Sequence, residues 1–158
     1  MVDEISVMLK KIYSYLIKRY GNKEQKFLSF ISIYLNQCNS VLDIGCGPAP
    51  YLTKFNKYNF VCGIDAHFKV CSDLYKKKIY DQVINANISY LPVKDNSFDA
   101  VVLFQVIEHL PKEVGYKFIH QIESIATSII IITTPNGFVE QEPYNDNPFQ
   151  EHKSGWNI

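Results

Sequence analysis

At 158 residues, 47% of them hydrophobic, the chain has material for one domain with a single substantial core and no more. Lys and Arg total 16 and Asp and Glu total 16, so no net charge draws it to nucleic acid or to an anionic membrane. Asp3 and Glu4 stand where a secretory leader carries basic residues, and no run approaches the roughly 18 uninterrupted apolar residues of a membrane span, which reads as a soluble cytoplasmic protein.

In chain order, Ile5, Met8, Leu9, Ile12, Leu16 and Tyr20 recur at helical spacing and predict an amphipathic helix ended by Gly21-Asn22. Phe27, Phe30, Ile31, Tyr34 and Leu35 predict a second helix, stopping before Asn39-Ser40. After Ser40 the texture changes to short β-branched runs alternating with helix-period segments, the pattern of a parallel sheet wound with helices. The strands expected are Val41 to Ile44, Phe60 to Ile64, Val83 to Ala86, Phe98 to Phe104 and Ile129 to Ile132. The last is all apolar and should be buried on both faces. Helices are expected through Tyr51, Leu52 and Phe55, through Phe68, Cys71, Leu74 and Tyr75, and through Val114, Phe118, Ile122 and Ile125. Lys76-Lys77-Lys78 reads as a helix end where cations suit the dipole, and Pro143 to Asn147 as a turn-rich loop. Cys38, Cys46, Cys62 and Cys71 lack CxxC pairing and read as small core residues, with no metal expected.

The segment Asp43-Ile44-Gly45-Cys46-Gly47-Pro48-Ala49-Pro50 falls where the first strand turns toward the first helix, and glycines there let backbone approach a ligand. Dinucleotide enzymes use such turns too, but they want a third glycine where this chain has Pro50. Asp43 would oppose a pyrophosphate and suits a ligand carrying an ammonium and a sulfonium. Asp65, 18 residues after Gly47, is spaced to accept from ribose hydroxyls, and can also cap the helix that follows.

These segments, with Leu91-Pro92, Ser97 to Val102, Val106-Ile107-Glu108-His109-Leu110 and Thr134-Pro135-Asn136-Gly137, resemble in order and spacing the motifs of class I S-adenosylmethionine-dependent methyltransferases, over about Val41 to Trp156. The resemblance implies an α/β, Rossmann-like, doubly wound and mostly parallel sheet in the order 3-2-1-4-5-7-6. Here it would be truncated after the fifth strand and preceded by an N-terminal helical pair. One methyltransferase-like domain over residues 1–158 is expected: helices in 1–40, cofactor-binding core in 41–135, loop and tail in 136–158. The bare fifth strand calls for a cover, from the tail, from a second copy in a homodimer or from a partner chain.

Carried over residue by residue, the likeness places Asp43, Gly45, Cys46 and Gly47 at the methionine part of S-adenosylmethionine. It places Asp65 and Ala66 at the ribose, Asn87 and Ile88 at the adenine, and Gln105 at the methionine end. Asn87 departs from the family's usual acid, though its amide oxygen can still accept from an adenine amino group. The reaction implied is methyl transfer to a small-molecule acceptor, with His109, Glu108 and His152 as candidates to handle the acceptor's proton. Glu108 and His109 read equally well as caps of the helix near Pro111. Two alternatives stand beside this: a weakly active or inactive S-adenosylmethionine-binding module, and, less favoured, a small-RNA 2′-O-methyltransferase. The latter's metal set of two glutamates and two histidines is matched loosely by Glu108, His109 and His152, with Gln105 at the first glutamate position.

Overall fold

The computed structural model describes residues 23–55, 58–143 and 146–157. The helix expected over Ile5 to Tyr20 lies outside them, as do two residues of the Pro143 to Asn147 loop. The second expected helix is α1 (Lys23–Leu35). It is followed by β1 (Ser40–Ile44), β2 (Phe60–Asp65), α2 (Phe68–Lys77), β3 (Gln82–Asn85), β4 (Phe98–Phe104), α3 (Lys112–Ile125) and β5 (Ala126–Thr133).

All strand pairings in the sheet are parallel, in the order β3-β2-β1-β4-β5. The order reverses direction at β1, where β2 lies on one side and β4 on the other, so the carboxyl ends of those strands frame a crevice of the kind that binds ligands in open α/β sheets. Two apolar layers hold the helices to the sheet. Ile31 and Leu35 of α1 join Val70 and Leu74 of α2 on one face, over Val41, Ala100 and Val102. Phe118, Ile122 and Ile125 of α3 cover the other, over Leu42, Ile44, Val101 and Leu103. Alternate residues of β1 and β4 thus serve opposite layers, and both strands are buried nearly throughout.

Two expectations are corrected. The helix through Tyr51, Leu52 and Phe55 is a single 3₁₀ turn, Tyr51–Lys54, entered from an extended Pro50. Pro48 and Pro50 each lack the N–H that a longer helix would use. β5 is half-buried rather than enclosed, since Ile129 to Ile132 are all of intermediate exposure. The cause is topological: β4 pairs along one edge of β5, and among the described residues no strand pairs along the other.

The tail returns to the body. Trp156 forms isolated bridges with Asn136 and Gly137 and packs its ring against Gly115 of α3, where an added Cβ would sit 2.6 Å from a ring carbon. Its indole N–H donates to the Ile107 carbonyl at 3.2 Å and to the Ser154 hydroxyl at 2.8 Å.

Candidate functional site

The glycine turn begins as β1 runs out. Gly45 (φ +70°) and Gly47 (φ +62°) both take the left-handed backbone that favours glycine. A Cβ on Gly45 would collide with the side chain of Val106, whereas the nearest atom to one on Gly47 is 3.9 Å away. Gly45 is therefore required by packing from below, and Gly47 leaves room above. The N–H groups of Gly45 and Cys46 donate to the Ile64 carbonyl at 2.8 and 3.1 Å, the Gly47 N–H donates to the Asp65 carboxylate at 3.0 Å, and Pro48 has none. The N–H groups a pyrophosphate would need at the start of this turn are already engaged, which agrees with Pro50 in disfavouring a dinucleotide.

Asp65 ends β2 with its carboxylate spanning two elements. One oxygen accepts from Gly47 and the other from the His67 N–H at 2.8 Å, so it both braces the turn and starts the approach to α2. Each oxygen retains a lone pair. Asn85, absent from the sequence-derived candidates, holds this corner by donating to the carbonyls of Asp65 and Ala66 at 2.9 and 3.0 Å.

Asp43 lies underneath the turn, 1% exposed, and accepts a 2.5 Å hydrogen bond from the Tyr80 hydroxyl. Burial pushes its carboxyl up to about 7; the Tyr80 bond opposes that shift and the Asp65 charge adds to it. Burial likewise pushes the Cys46 thiol far up, so it is an inert filler with only its backbone in the turn. Tyr80 sits in the loop between α2 and β3, and no motif flags it.

Farther along the carboxyl edge, the Asn87 amide oxygen accepts from the Ser89 N–H at 3.0 Å, which makes it a local turn as well as an adenine candidate. Ile88 beside it is half-buried and lines a cavity of about 300 Å³ with Ser89, Val114, Lys117, Phe118 and Gln121. Gln105, directly after β4, has φ +60° and donates its side-chain amide to Thr133 at 3.2 Å.

The loop after β4 brings together the three acceptor-side candidates. Glu108 and His109 lie in a 3₁₀ turn, Ile107–His109, and no side chain caps α3. Their expected capping role is not the one the fold uses. Instead the Glu108 carbonyl accepts from the N–H groups of Lys153 and Ser154 at 2.8 and 3.0 Å, pinning the tail so that the His109 and His152 rings stand 4.8 Å apart. Glu108 is 2% exposed, and burial raises its carboxyl while the nearby Thr134 hydroxyl lowers it. Burial lowers His109, opposed by its bonds to the Glu151 and Gln105 carbonyls. The structure therefore gathers two groups along one edge: Asp43, Gly45, Cys46, Gly47, Asp65 and Ala66 around the turn, and Glu108, His109 and His152 around the tail. Val106 connects them, packed under Gly45 one residue after Gln105.

A parallel sheet with its reversal at β1, a glycine turn whose N–H groups are spent internally and an acid at the end of β2 define a Rossmann-like domain suited to an adenosyl ligand without a pyrophosphate. Residues 42–128, more than half of the chain, match the family described as methyltransferase domain, and the chain belongs to that family. An uncharacterized protein of Methanocaldococcus jannaschii is 30% identical over 139 residues, covering 84% of this chain and 52% of its own length. The chain thus spans about half of the curated relative it matches. Among solved structures, a SAM-dependent methyltransferase from Archaeoglobus fulgidus superposes with a TM-score of 0.62 at 22% identity, over 84% of this chain and 61% of that one. The plantazolicin methyltransferase BpumL in complex with SAH gives 0.58 at 22%, over 72% and 48%. These two likenesses establish the fold. No helix among the described residues is long and apolar enough to cross a membrane.

Proposed function

We propose that the chain binds S-adenosylmethionine along the carboxyl edge of β1, β2, β3 and β4 and transfers its methyl group to a small-molecule acceptor held near Glu108, His109 and His152. The observation that carries this is the Asp65 carboxylate, which reaches from the end of β2 to the Gly47 N–H and keeps lone pairs for a ribose diol. In this reading Gly45, Cys46 and Gly47 offer backbone to the methionine part, with Gln105 at its far end and the Asp43 charge acting from beneath. Ala66 lies by the ribose, and Asn87 and Ile88 by the adenine.

Transfer is an in-line displacement: the acceptor's lone pair forms the new bond to the methyl carbon as the carbon–sulfur bond breaks, leaving a neutral thioether. The chain's main tasks are alignment and exclusion of water. For a hydroxyl acceptor the departing proton goes to an imidazole. The His109 Nδ1 donates to the Glu151 carbonyl, with the Gln105 carbonyl as a second partner of that ring, and the His152 Nδ1 donates to the Val139 carbonyl, which leaves the lone pair of the His152 Nε2 for the proton.

The test is transfer of a labelled methyl group from S-adenosylmethionine into a small-molecule extract, beside calorimetry with S-adenosylhomocysteine. Asp65→Ala should weaken binding about 10- to 100-fold, the worth of hydrogen bonds to a charged group. His109→Gln should lower transfer about 100-fold while leaving affinity for S-adenosylhomocysteine unchanged. A second reading, a binding or partner module, is favoured by the turn engagement of Asn87 and by the edge of β5 along which no strand pairs among the described residues, and which a second copy or partner chain would cover. Binding without any transfer would select it.

A further inference from the structure

Beneath the glycine turn, β2 carries no side chain at the position that pairs in register with Asp43, which is Gly63. The space is taken by Tyr80, which comes in from the loop between α2 and β3. A Cβ on Gly63 would lie 3.0 Å from two carbons of the Tyr80 ring and 3.1 Å from the Cys46 sulfur. The ring thus passes under β2, and its hydroxyl donates to the Asp43 carboxylate at 2.5 Å, in a pair of which Asp43 is 1% and Tyr80 8% exposed. We infer that Tyr80 is a positioning residue for the cofactor: through its bond to Asp43 it sets the charge beneath the turn, so that the site separates cationic S-adenosylmethionine from its thioether product more sharply as pH rises. The inference rests on the proposed binding of the cofactor above this turn.

A carboxyl group taken out of water favours its neutral form unless a positive charge or hydrogen bonds support the ionised one. Burial and the Asp65 charge at the end of β2 push Asp43 up, to about 7, and the Tyr80 bond pulls against them. None of these is a cation. Burial, followed by the Asp43 charge, holds the Tyr80 phenol well above its usual range, so it remains a donor in either state of the acid. Cys46 in the turn and Cys71 of α2 are both raised by burial and bring no charge of their own.

Asp43 therefore stands where the charge of a ligand decides its state. A sulfonium above the turn favours the carboxylate, and its binding releases the Asp43 proton to solvent. In the transfer step the electron pair of the broken carbon–sulfur bond stays on sulfur and removes the positive charge. Asp43 then recovers a proton from solvent as the product leaves. A hydroxyl donor suits this role because it eases ionisation without fixing it. A lysine at the same place would keep the acid charged with either ligand and erase the difference.

The experiment is calorimetry of the 158-residue chain with S-adenosylmethionine and with S-adenosylhomocysteine at pH 5.5, 6.5 and 7.5. The ratio of the two dissociation constants should move about tenfold in favour of the cofactor across this range, the equivalent of one unit of coupling. Asp43→Asn should remove the change. Tyr80→Phe keeps the ring that fills the space at Gly63 and should move the midpoint up by about one pH unit, through loss of a hydrogen bond to a charged group. Protonated His109 or His152 would also repel a sulfonium, but that effect persists in Asp43→Asn and does not move with Tyr80→Phe. The carbon-13 resonance of the Asp43 carboxyl is the check that needs no variant: it should titrate near 7 in the unliganded chain and at least about one unit lower with S-adenosylmethionine, but not with S-adenosylhomocysteine. A native ratio that does not change with pH, a change that survives in full in Asp43→Asn, a midpoint unmoved in Tyr80→Phe, or one carboxyl midpoint with both ligands overturns the inference. If neither compound binds, the proposed function falls and this inference with it; if both bind with the same pH dependence, this inference falls alone.

Discussion

Asp43 and Tyr80 meet beneath the glycine turn, and their hydrogen bond ties the end of β1 to the loop before β3 across the intervening β2. The Asp43 carboxyl titrates at about 7 in the fold against an ordinary value of 3.8, so the folded chain holds this proton more tightly than the unfolded one. Its stabilising contribution is complete below about 4 and is lost as pH rises toward 7, a change on the order of 4 kcal/mol at 1.36 kcal/mol per pH unit. Glu108 is raised and acts in the same direction; His109 is lowered and acts oppositely, losing its contribution as pH falls below 6.5. Thermal melts of the native chain and Asp43→Asn across pH 4 to 8 isolate the first effect: the native melting temperature should fall relative to the variant as pH rises. Tyr80→Phe leaves Asp43 buried without its donor and should cost about 2 kcal/mol in urea denaturation.

At the scale of elements, the site depends on the docking of the tail onto the start of α3. Gly115 is the point of closest approach, and the Trp156 ring fills the space its missing side chain leaves. Lys112 adds a hydrogen bond to the Gly155 carbonyl and stands 4.8 Å from the centre of the Trp156 ring. Gly115→Ala overpacks this contact and should cost about 1–3 kcal/mol. Trp156 is the one tryptophan of the chain, so displacement of the tail reads directly as a red shift of its emission. Trp156→Ala should cost about 3 kcal/mol and free His152 from His109, with the melting temperature as the measurement.

At the scale of the whole molecule, a ligand that spans β1, β2 and β3 stabilises every element those strands hold. S-adenosylhomocysteine at 100 times its dissociation constant should stabilise by about 2.7 kcal/mol, which for a domain near this length raises the melting temperature by roughly 5–10 °C. NAD at the same concentration should give no shift, because the first N–H groups of the turn are already bonded. An unchanged melting temperature with S-adenosylhomocysteine would remove the adenosyl reading for the chain.

The strand pattern, the wound parallel sheet and the corner from Asp43 to Asp65 were legible in the residues, because β-branched runs, helical spacing and paired glycines act locally and leave local marks. Glu108, His109 and His152 were also visible as candidates, since the segments that hold them resemble the family's and an imidazole can take an acceptor's proton. Their convergence was not visible: more than forty residues separate His109 from His152, and only the Glu108 carbonyl and the docked Trp156 bring them together. Tyr80 under Asp43 and Val106 under Gly45 carry no motif, because an apolar or aromatic residue in a loop shows its partner only when the chain has closed. The exposure of β5 depended likewise on which strands flank it, a property of the sheet and not of the run Ile129 to Ile132. Local chemistry was set by the sequence; which groups face one another was decided by packing, which joins residues that no spacing rule connects.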